Sequence, residues 1–246
     1  MPQVAIVTGA GQGLGAVIAR RLHAGGYRVA LSDLDEAACI AVAAELDPRG
    51  DTAMGLKLDI TRKPDFERAR DLLLARWGTV HVLVNNAAVT VATPVMEITP
   101  DEFLRVLGTN AGGTFYGCQV FGGCFRDRGY GRIVNLASLA AQNGGTATGA
   151  HYAASKGAII TLTKVFAREL AAAGVTVNAV APGPLDLPVV HRTVPADHFD
   201  AFLRNIPVGA LGDAGFVAQI VAQLASPEAG FVTGATWDVN GGLYVR

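Results

Sequence analysis

Short apolar runs alternate along this chain with longer segments in which apolar residues recur at helical spacing. The runs predict strands at Val4–Val7, Arg28–Leu31, Gly55–Leu58, Val80–Val84, Arg132–Leu136, Val175–Val180 and Thr236–Val239. The helical spacing predicts helices at Leu14–Ala24, Glu36–Leu46, Lys63–Arg76, His151–Ala173 and Phe216–Ala225, and over Pro100–Cys124 with an interruption at Gly112-Gly113. Residues 182–207 read as loop with a short helix. The strands show no polar alternation, and helices follow them, so the sheet is parallel and covered on both faces. No linker, low-complexity tract or internal repeat breaks the rhythm. The pattern predicts a single doubly wound α/β domain over residues 1–246, with about seven strands. In such sheets ligands sit beyond the carboxyl ends of the strands, which directs attention to residues just after each strand.

Composition narrows the class. Half of the 246 residues are hydrophobic and the net charge is −1, so there is no electrostatic footprint for nucleic acid or an anionic membrane. The 30 glycines are scattered between apolar runs, as turns rather than disorder require. Cys39, Cys118 and Cys124 are odd in number and lack CxxC spacing, which reads as free thiols in a reducing compartment. Strand-like sequence begins at Val4 and no uninterrupted apolar run reaches spanning length, so a cytoplasmic protein is expected.

The first strand runs into Thr8-Gly9-Ala10-Gly11-Gln12-Gly13-Leu14-Gly15 and then a helix. Glycines let the backbone turn sharply and approach a pyrophosphate, while the free N–H groups and dipole of the helix face the anion. A glycine cluster alone is a weak signal; strand before and helix after supply its context, and with them the sheet reads as a Rossmann domain. Asp33 closes the second strand, 18 residues past Gly15. A carboxylate there accepts hydrogen bonds from ribose hydroxyls and repels a 2′-phosphate, which favours NAD over NADP. The competing reading is a solvated turn aspartate, a role better suited to Asp35.

Tyr152 and Lys156 are four residues apart and share one face of a predicted helix, while Ser138 follows the strand ending at Leu136. Alone, the pair would be an ordinary helix-surface pair and the serine a turn residue. Their order downstream of the glycine loop suits ketone–alcohol chemistry. A phenol has a pKa of about 10, so it needs a nearby cation such as Lys156 to serve as acid and base near neutrality. Tyr152 would then move the proton, and Ser138 would donate to the developing oxyanion.

Together these residues resemble the short-chain dehydrogenase/reductase family over essentially the whole chain. Gly9, Gln12, Gly13, Leu14 and Gly15 match its cofactor loop, followed by Asp33 and Leu34. Asp59-Ile60 is similar to its adenine-contacting pair, and Asn85-Asn86-Ala87-Ala88 to its Asn-Asn-Ala-Gly segment. Asn110 matches an asparagine that holds a water in a proton relay to the lysine. Ser138, Tyr152 and Lys156 match the catalytic set, Pro182-Gly183 the segment beside the nicotinamide, and Val239-Asn240-Gly241-Gly242 a C-terminal signature. The resemblance implies cofactor contacts from these loops, from Tyr152 and Lys156 and from Leu185, with NAD as cofactor. It implies substrate contacts from Ser138, Gln142, Tyr152 and Leu187, no metal, and a homotetramer paired partly through the helix after Tyr152. Asn143 and Gly144 are further candidates for the pocket.

The 3-oxoacyl-carrier-protein reductase branch is the most similar, from Arg132-Ile133-Val134-Asn135 and Gly241-Gly242-Leu243-Tyr244. Reductases of fatty-acid synthesis in that branch usually use NADPH, against which Asp33 argues. Three positions depart from the family pattern. Ala88 replaces a glycine, Leu187 stands where a threonine is usual, and the Ser138–Tyr152 interval is 14 residues, one longer than the commonest, with room for the extra residue in Gly144-Gly145-Thr146. Residues 184–208 are expected to form the substrate loop, with Leu185, Leu187, Val189, Val190, Phe199 and Phe202 as its apolar surface. His191 and His198 have no third ligand in that loop, and His151 reads as helix-entry packing. The expected function is therefore hydride transfer between NAD(H) and a secondary alcohol or ketone. An NADPH-dependent 3-oxoacyl-carrier-protein reductase is the alternative, and a non-catalytic dinucleotide sensor the second.

Overall fold

The computed structural model describes residues 2–145, 148–193 and 196–245. Seven parallel strands form one sheet in the order β3-β2-β1-β4-β5-β6-β7. They are β1 (Val4–Thr8), β2 (Arg28–Asp33), β3 (Ala53–Lys57), β4 (Val82–Asn85), β5 (Gly131–Leu136), β6 (Val175–Pro182) and β7 (Thr236–Val239). The single Rossmann-like domain expected from the pattern is present. Its strand order reverses between β1 and β4, which opens a crevice at their carboxyl ends.

Alternate residues of each buried strand serve opposite faces, because successive side chains leave a strand in opposite directions. Ala5 and Val7 of β1 join a core with Ile18 and Leu22 of α1 (Gly13–Ala24), Val42 of α2 (Glu36–Leu46) and Val217 and Val221. Val4 and Ile6 join the other core, with Phe66 and Leu73 of α3 (Lys63–Trp77), Phe121 and Phe125, and Leu170. Both faces are dry, which explains why the strands carry no polar alternation.

The helix boundaries follow local chemistry. Asp35 caps α2 by accepting the Ala38 N–H at 3.0 Å, as its turn position suggested. Thr99 caps α4 (Pro100–Leu107), with a proline in its first turn, and Gly78 ends α3 at φ 75°. The interruption expected at Gly112-Gly113 is a π turn, Gly108–Gly112, which leads into α5 (Gly113–Arg128). The turn holds Asn110 fully buried. The short helix α6 (Ala140–Asn143) was not expected. The long helix α7 runs Ala150–Leu170, and α8 (Pro188–Thr193), α9 (Phe199–Arg204) and α10 (Ala214–Ala225) follow β6. The third strand begins two residues earlier than expected, because its pairing with β2 places Ala53 beside Val29.

A buried polar chain fixes α7 to the sheet. Asn85 Nδ2 donates to Asn135 Oδ1 at 2.8 Å, and Asn135 Nδ2 donates to Thr163 Oγ1 at 2.9 Å. The Thr163 hydroxyl in turn donates to the Ile159 carbonyl at 2.8 Å. Asn135 and Thr163 are wholly buried, so no water can replace a lost partner. Asn135→Ala should therefore destabilise the fold by about 2–3 kcal/mol, from two stranded polar groups and a small void. Urea denaturation with an unchanged slope and a lower midpoint would show it; a midpoint equal to wild type would refute this account.

Candidate active site

The glycine loop is shaped by close backbone approach. A side chain on Gly15 would lie 2.1 Å from the Gly9 carbonyl oxygen, so only glycine permits this contact of loop and helix. Gly13 has φ 56° and open space where a Cβ would stand, at the start of α1. That end of α1 has no side-chain cap and no acidic residue in its first turn, so its N–H groups remain available to an anion. Asn86 stiffens the loop from the other side of the crevice. Its Nδ2 donates to the carbonyls of Thr8 and Gly9 at 2.9 and 3.1 Å. The N–H groups of Asn86 and Ala87 donate to Thr8 Oγ1 at 3.0 and 3.1 Å.

Gly9, Gln12, Asp33, Leu34, Leu58, Ile60, Asn86, Ala87, Ala88, Val89 and Thr109 line a hollow of about 280 Å³ at this crevice. Asp33 Oδ2 accepts the Gly11 N–H at 3.3 Å, which holds the carboxylate against the loop at the end of β2. The residues fit a dinucleotide: a glycine cradle at a helix N-terminus, a carboxylate one strand away, and the apolar side chains of Leu34, Leu58 and Ile60. A larger hollow of about 840 Å³, lined by Gln3, Arg21, Tyr27 and Gln223 among others, lies toward the amino ends of the strands and carries no candidate residue.

The catalytic candidates meet where β5 and α7 approach each other. Lys156 is buried and its Nζ donates to the Leu136 carbonyl at 2.6 Å. It stands 5.7 Å from the centre of the Tyr152 ring. Ser138 Oγ accepts the Ala140 N–H at 3.1 Å, so its own proton is free to point at Tyr152. Burial pushes the Tyr152 phenol above its ordinary pKa, and the hydroxyls of Ser138 and then Thr90 act in the opposite direction. Burial alone lowers the Lys156 ammonium to about 8. The expected order of effects is thus corrected: desolvation dominates at the phenol, and neighbouring hydroxyls counter it.

Several candidates are placed differently from expectation. Asn110 spends its amide on protein partners: Oδ1 accepts the Val89 N–H at 2.8 Å, and Nδ2 donates to the Val89 carbonyl and Ser155 Oγ at 3.0 and 2.9 Å. It is a clamp on the segment after β4. Asp59 does not line the hollow; its Oδ1 accepts the N–H and the hydroxyl of Thr61, and these bonds lead the lowering of its pKa. Leu185 is a core residue, 7% exposed, and bridges Gly212. Leu187 packs against the same core. Leu185 was expected at the cofactor and Leu187 at the substrate; the turn after β6 buries Leu185 and leaves Leu187 partly buried against the core. Gln142 bonds Asp238 of β7 through its Nε2. Asn143 Oδ1 accepts the Gly145 N–H at 2.9 Å, and Gly144 ends α6 in the left-handed region. The Gly183 N–H donates to the Val239 carbonyl at 2.8 Å, and the Pro182 carbonyl accepts the Leu139 N–H at 2.9 Å. These bonds tie β6 to the C-terminal signature and to the turn that bears Ser138.

In the expected substrate loop, His191 bonds Asp186 at 2.6 Å and stacks on Phe199, so it is a loop-packing residue. Among the described residues no group of three or more His, Cys, Asp or Glu could hold a metal. The side chain of Val189, and Thr146 with its proposed extra residue, lie outside the described residues. Sequence reasoning missed Leu58, Val89, Thr109 and Thr90. Leu58, Val89 and Thr90 follow strand ends and Thr109 lies in the π turn between α4 and α5, but none carries a motif signal of its own.

Residues 9–244 match the family model described as enoyl-(acyl carrier protein) reductase. The chain is 38% identical to an acetoacetyl-CoA reductase of Shinella zoogloeoides, with 99% of each chain covered. It is 35% identical to a 3-oxoacyl-acyl-carrier-protein reductase of Escherichia coli, covering 99% of this chain and 98% of that one. It is 32% identical to a diacetyl reductase, (S)-acetoin forming, of Staphylococcus epidermidis, with both chains covered completely. Fold, crevice and full-length similarity agree: the chain belongs to the short-chain dehydrogenase/reductase family of oxidoreductases.

Proposed function

We propose that the protein interconverts a ketone and a secondary alcohol with NAD(H), with Tyr152 as general acid and base. The observation that carries this reading is the convergence of the Ser138 hydroxyl and the buried Lys156 ammonium on Tyr152 at the sheet's carboxyl edge. Val89 lines the hollow and the next residue, Thr90, faces the phenol, so the two parts of the site adjoin. Bound dinucleotide supplies or takes up hydride. The N–H groups at the start of α1 would hold its pyrophosphate, and Asp33 would bind a ribose. In reduction Tyr152 gives its proton to the carbonyl oxygen, while Ser138 donates a hydrogen bond to the charge that develops there. In oxidation the proton returns to Tyr152. Lys156, with a pKa of about 8, carries its charge near neutral pH and stands 5.7 Å from the centre of the Tyr152 ring, where a positive charge favours the phenolate.

The relatives' names support a ketone with a second carbonyl group nearby. They also keep a second reading open, a 3-oxoacyl-carrier-protein reductase that takes NADPH. Asp33 against the glycine loop favours NAD. Exposed apolar side chains on neighbouring helices, Leu104, Phe115 and Val165, support the homotetramer as the working assembly.

Tyr152→Phe should lower turnover by about a thousandfold or more, as loss of an essential acid/base implies, while NADH binding followed by Trp fluorescence persists. Unchanged turnover would remove Tyr152 from the mechanism. Asp33→Ala should weaken NADH binding by about tenfold and NADPH binding much less, if at all. Equal losses would undo the account of cofactor choice, and tighter NADPH binding by the wild type would put the second reading first. Light scattering at micromolar concentration should give about four times the chain mass of 25.4 kDa. A monomer mass would exclude the tetramer.

A further inference from the structure

Helix α7 opens without a side-chain cap. Its cap residue, Gly149, has no side chain to offer, and no acidic residue stands in the first turn, so the first N–H groups need another acceptor. His151 supplies one from within the helix. Its Nδ1 accepts the N–H of Tyr152 at 2.9 Å, beside the Gly149 carbonyl at 3.0 Å. A side chain on Gly149 would strike the His151 ring at 2.2 Å, so the bare cap is the space in which the ring lies.

An Nδ1 that accepts leaves the proton on Nε2. That N–H donates to Glu102 Oε1 at 2.8 Å, and the same oxygen accepts the Thr93 hydroxyl at 2.6 Å. Hydrogen bonds from Thr93 and then His151 hold the Glu102 carboxyl below its ordinary pKa, so it is an ionised acceptor near neutral pH. Glu102 is itself fixed, because the Thr99 hydroxyl that caps α4 accepts its N–H at 3.2 Å. His151 is fully buried, so no water can replace either of its partners. The chain Thr93–Glu102–His151 therefore ties α4 and the segment after β4 to the backbone of Tyr152. The Tyr152 carbonyl is held as well, by the Ser155 hydroxyl at 2.7 Å.

We propose that His151 and Glu102 are positioning residues for Tyr152: the imidazole carries the fixed place of α4 to the tyrosine's own N–H, and so sets where the phenol stands against Ser138 and the substrate. The inference deepens the ketone–alcohol reading and rests on it. Neither side chain touches the substrate or exchanges a proton in the reaction. Proton transfer needs the phenol within hydrogen-bonding reach of the reacting oxygen, and a displacement of about 1 Å costs on the order of a hundredfold in rate. Dinucleotide binding depends instead on the glycine loop, to which this chain makes no bond. Loss of the chain therefore acts on kcat and spares binding.

The test measures kcat, KM and NADH binding for wild type, Glu102→Leu, Glu102→Gln, His151→Leu, the variant with both leucines, and Tyr152→Phe. The substrate is whichever of acetoacetyl-CoA, ethyl acetoacetate and diacetyl the wild type reduces fastest. Glu102→Leu should lower kcat about tenfold, with KM and the NADH dissociation constant within about twofold. Glu102→Gln should restore most of kcat, because its amide oxygen still accepts both protons. His151→Leu should lose at least as much as Glu102→Leu, and the double variant no more than His151→Leu, since the two groups act as one unit. If His151→Leu does not fold, the two Glu102 variants decide alone. Wild-type kcat in Glu102→Leu, losses that multiply in the double variant, or a fall in kcat that is matched by weaker NADH binding and not restored by glutamine overturns the proposal. Each of these leaves the parent reading intact, provided Tyr152→Phe is inactive. Active Tyr152→Phe, or no reduction of any of the three ketones by the wild type, removes the parent reading and this inference with it.

Discussion

At the seam between β1 and β4 the sheet's order of winding reverses, which opens a crevice at the carboxyl ends of the two strands. The polar backbone exposed there has to be paired from within. Thr8 and Asn86 do so reciprocally: the Thr8 hydroxyl takes two N–H groups from the β4 side, and the Asn86 amide reaches two carbonyls on the β1 side. The glycine loop is thereby held on one bank and the segment that runs to Thr93 on the other. The cofactor cradle and the wall of the catalytic centre descend from the same four hydrogen bonds.

Burial sets the character of the second half of the site. Lys156 and Tyr152 are withdrawn from water where β5 meets α7, so each is pushed toward its neutral form. Such a centre depends on donors fixed in place rather than on solvent. The Ser138 hydroxyl is fixed just past the end of β5, and the Leu136 carbonyl of the same strand accepts from the lysine and anchors it. The polar chain from Asn85 through Asn135 to Thr163 keeps α7 in register with these groups. Stability and catalysis therefore share this part of the core, and substitutions there should affect both.

The architecture was legible because parallel strands buried on both faces leave an uninterrupted apolar signature, and each strand end is marked by a residue that breaks it. Gly9 to Gly15, Asp33, Ser138, Tyr152 and Lys156 all stand at such ends or on the adjoining helix turn, so their order along the chain reported their meeting in space. Leu185 and Leu187 carried the opposite lesson. Apolar residues in a loop read alike whether they face a ligand or the core, and only the fold of the turn after β6 shows that they face the core. Asp59 and Asn110 carried a motif signal, but their partners, Thr61 and Val89, depend on local backbone paths that periodicity does not encode.

By itself the sequence determined the number and direction of the strands, the glycine loop between β1 and α1, and the tyrosine and lysine on one helix face. These follow from repeat distances of two and 3.6 residues and from the conformational limits of glycine, which are local properties. Tertiary structure alone decided that His151 reaches Glu102, and that burial outweighs the neighbouring hydroxyls at the phenol. The first joins residues 49 positions apart, and the second depends on how much water the assembled elements exclude. No local rule carries that information, because it exists only once the sheet has brought its carboxyl edge together.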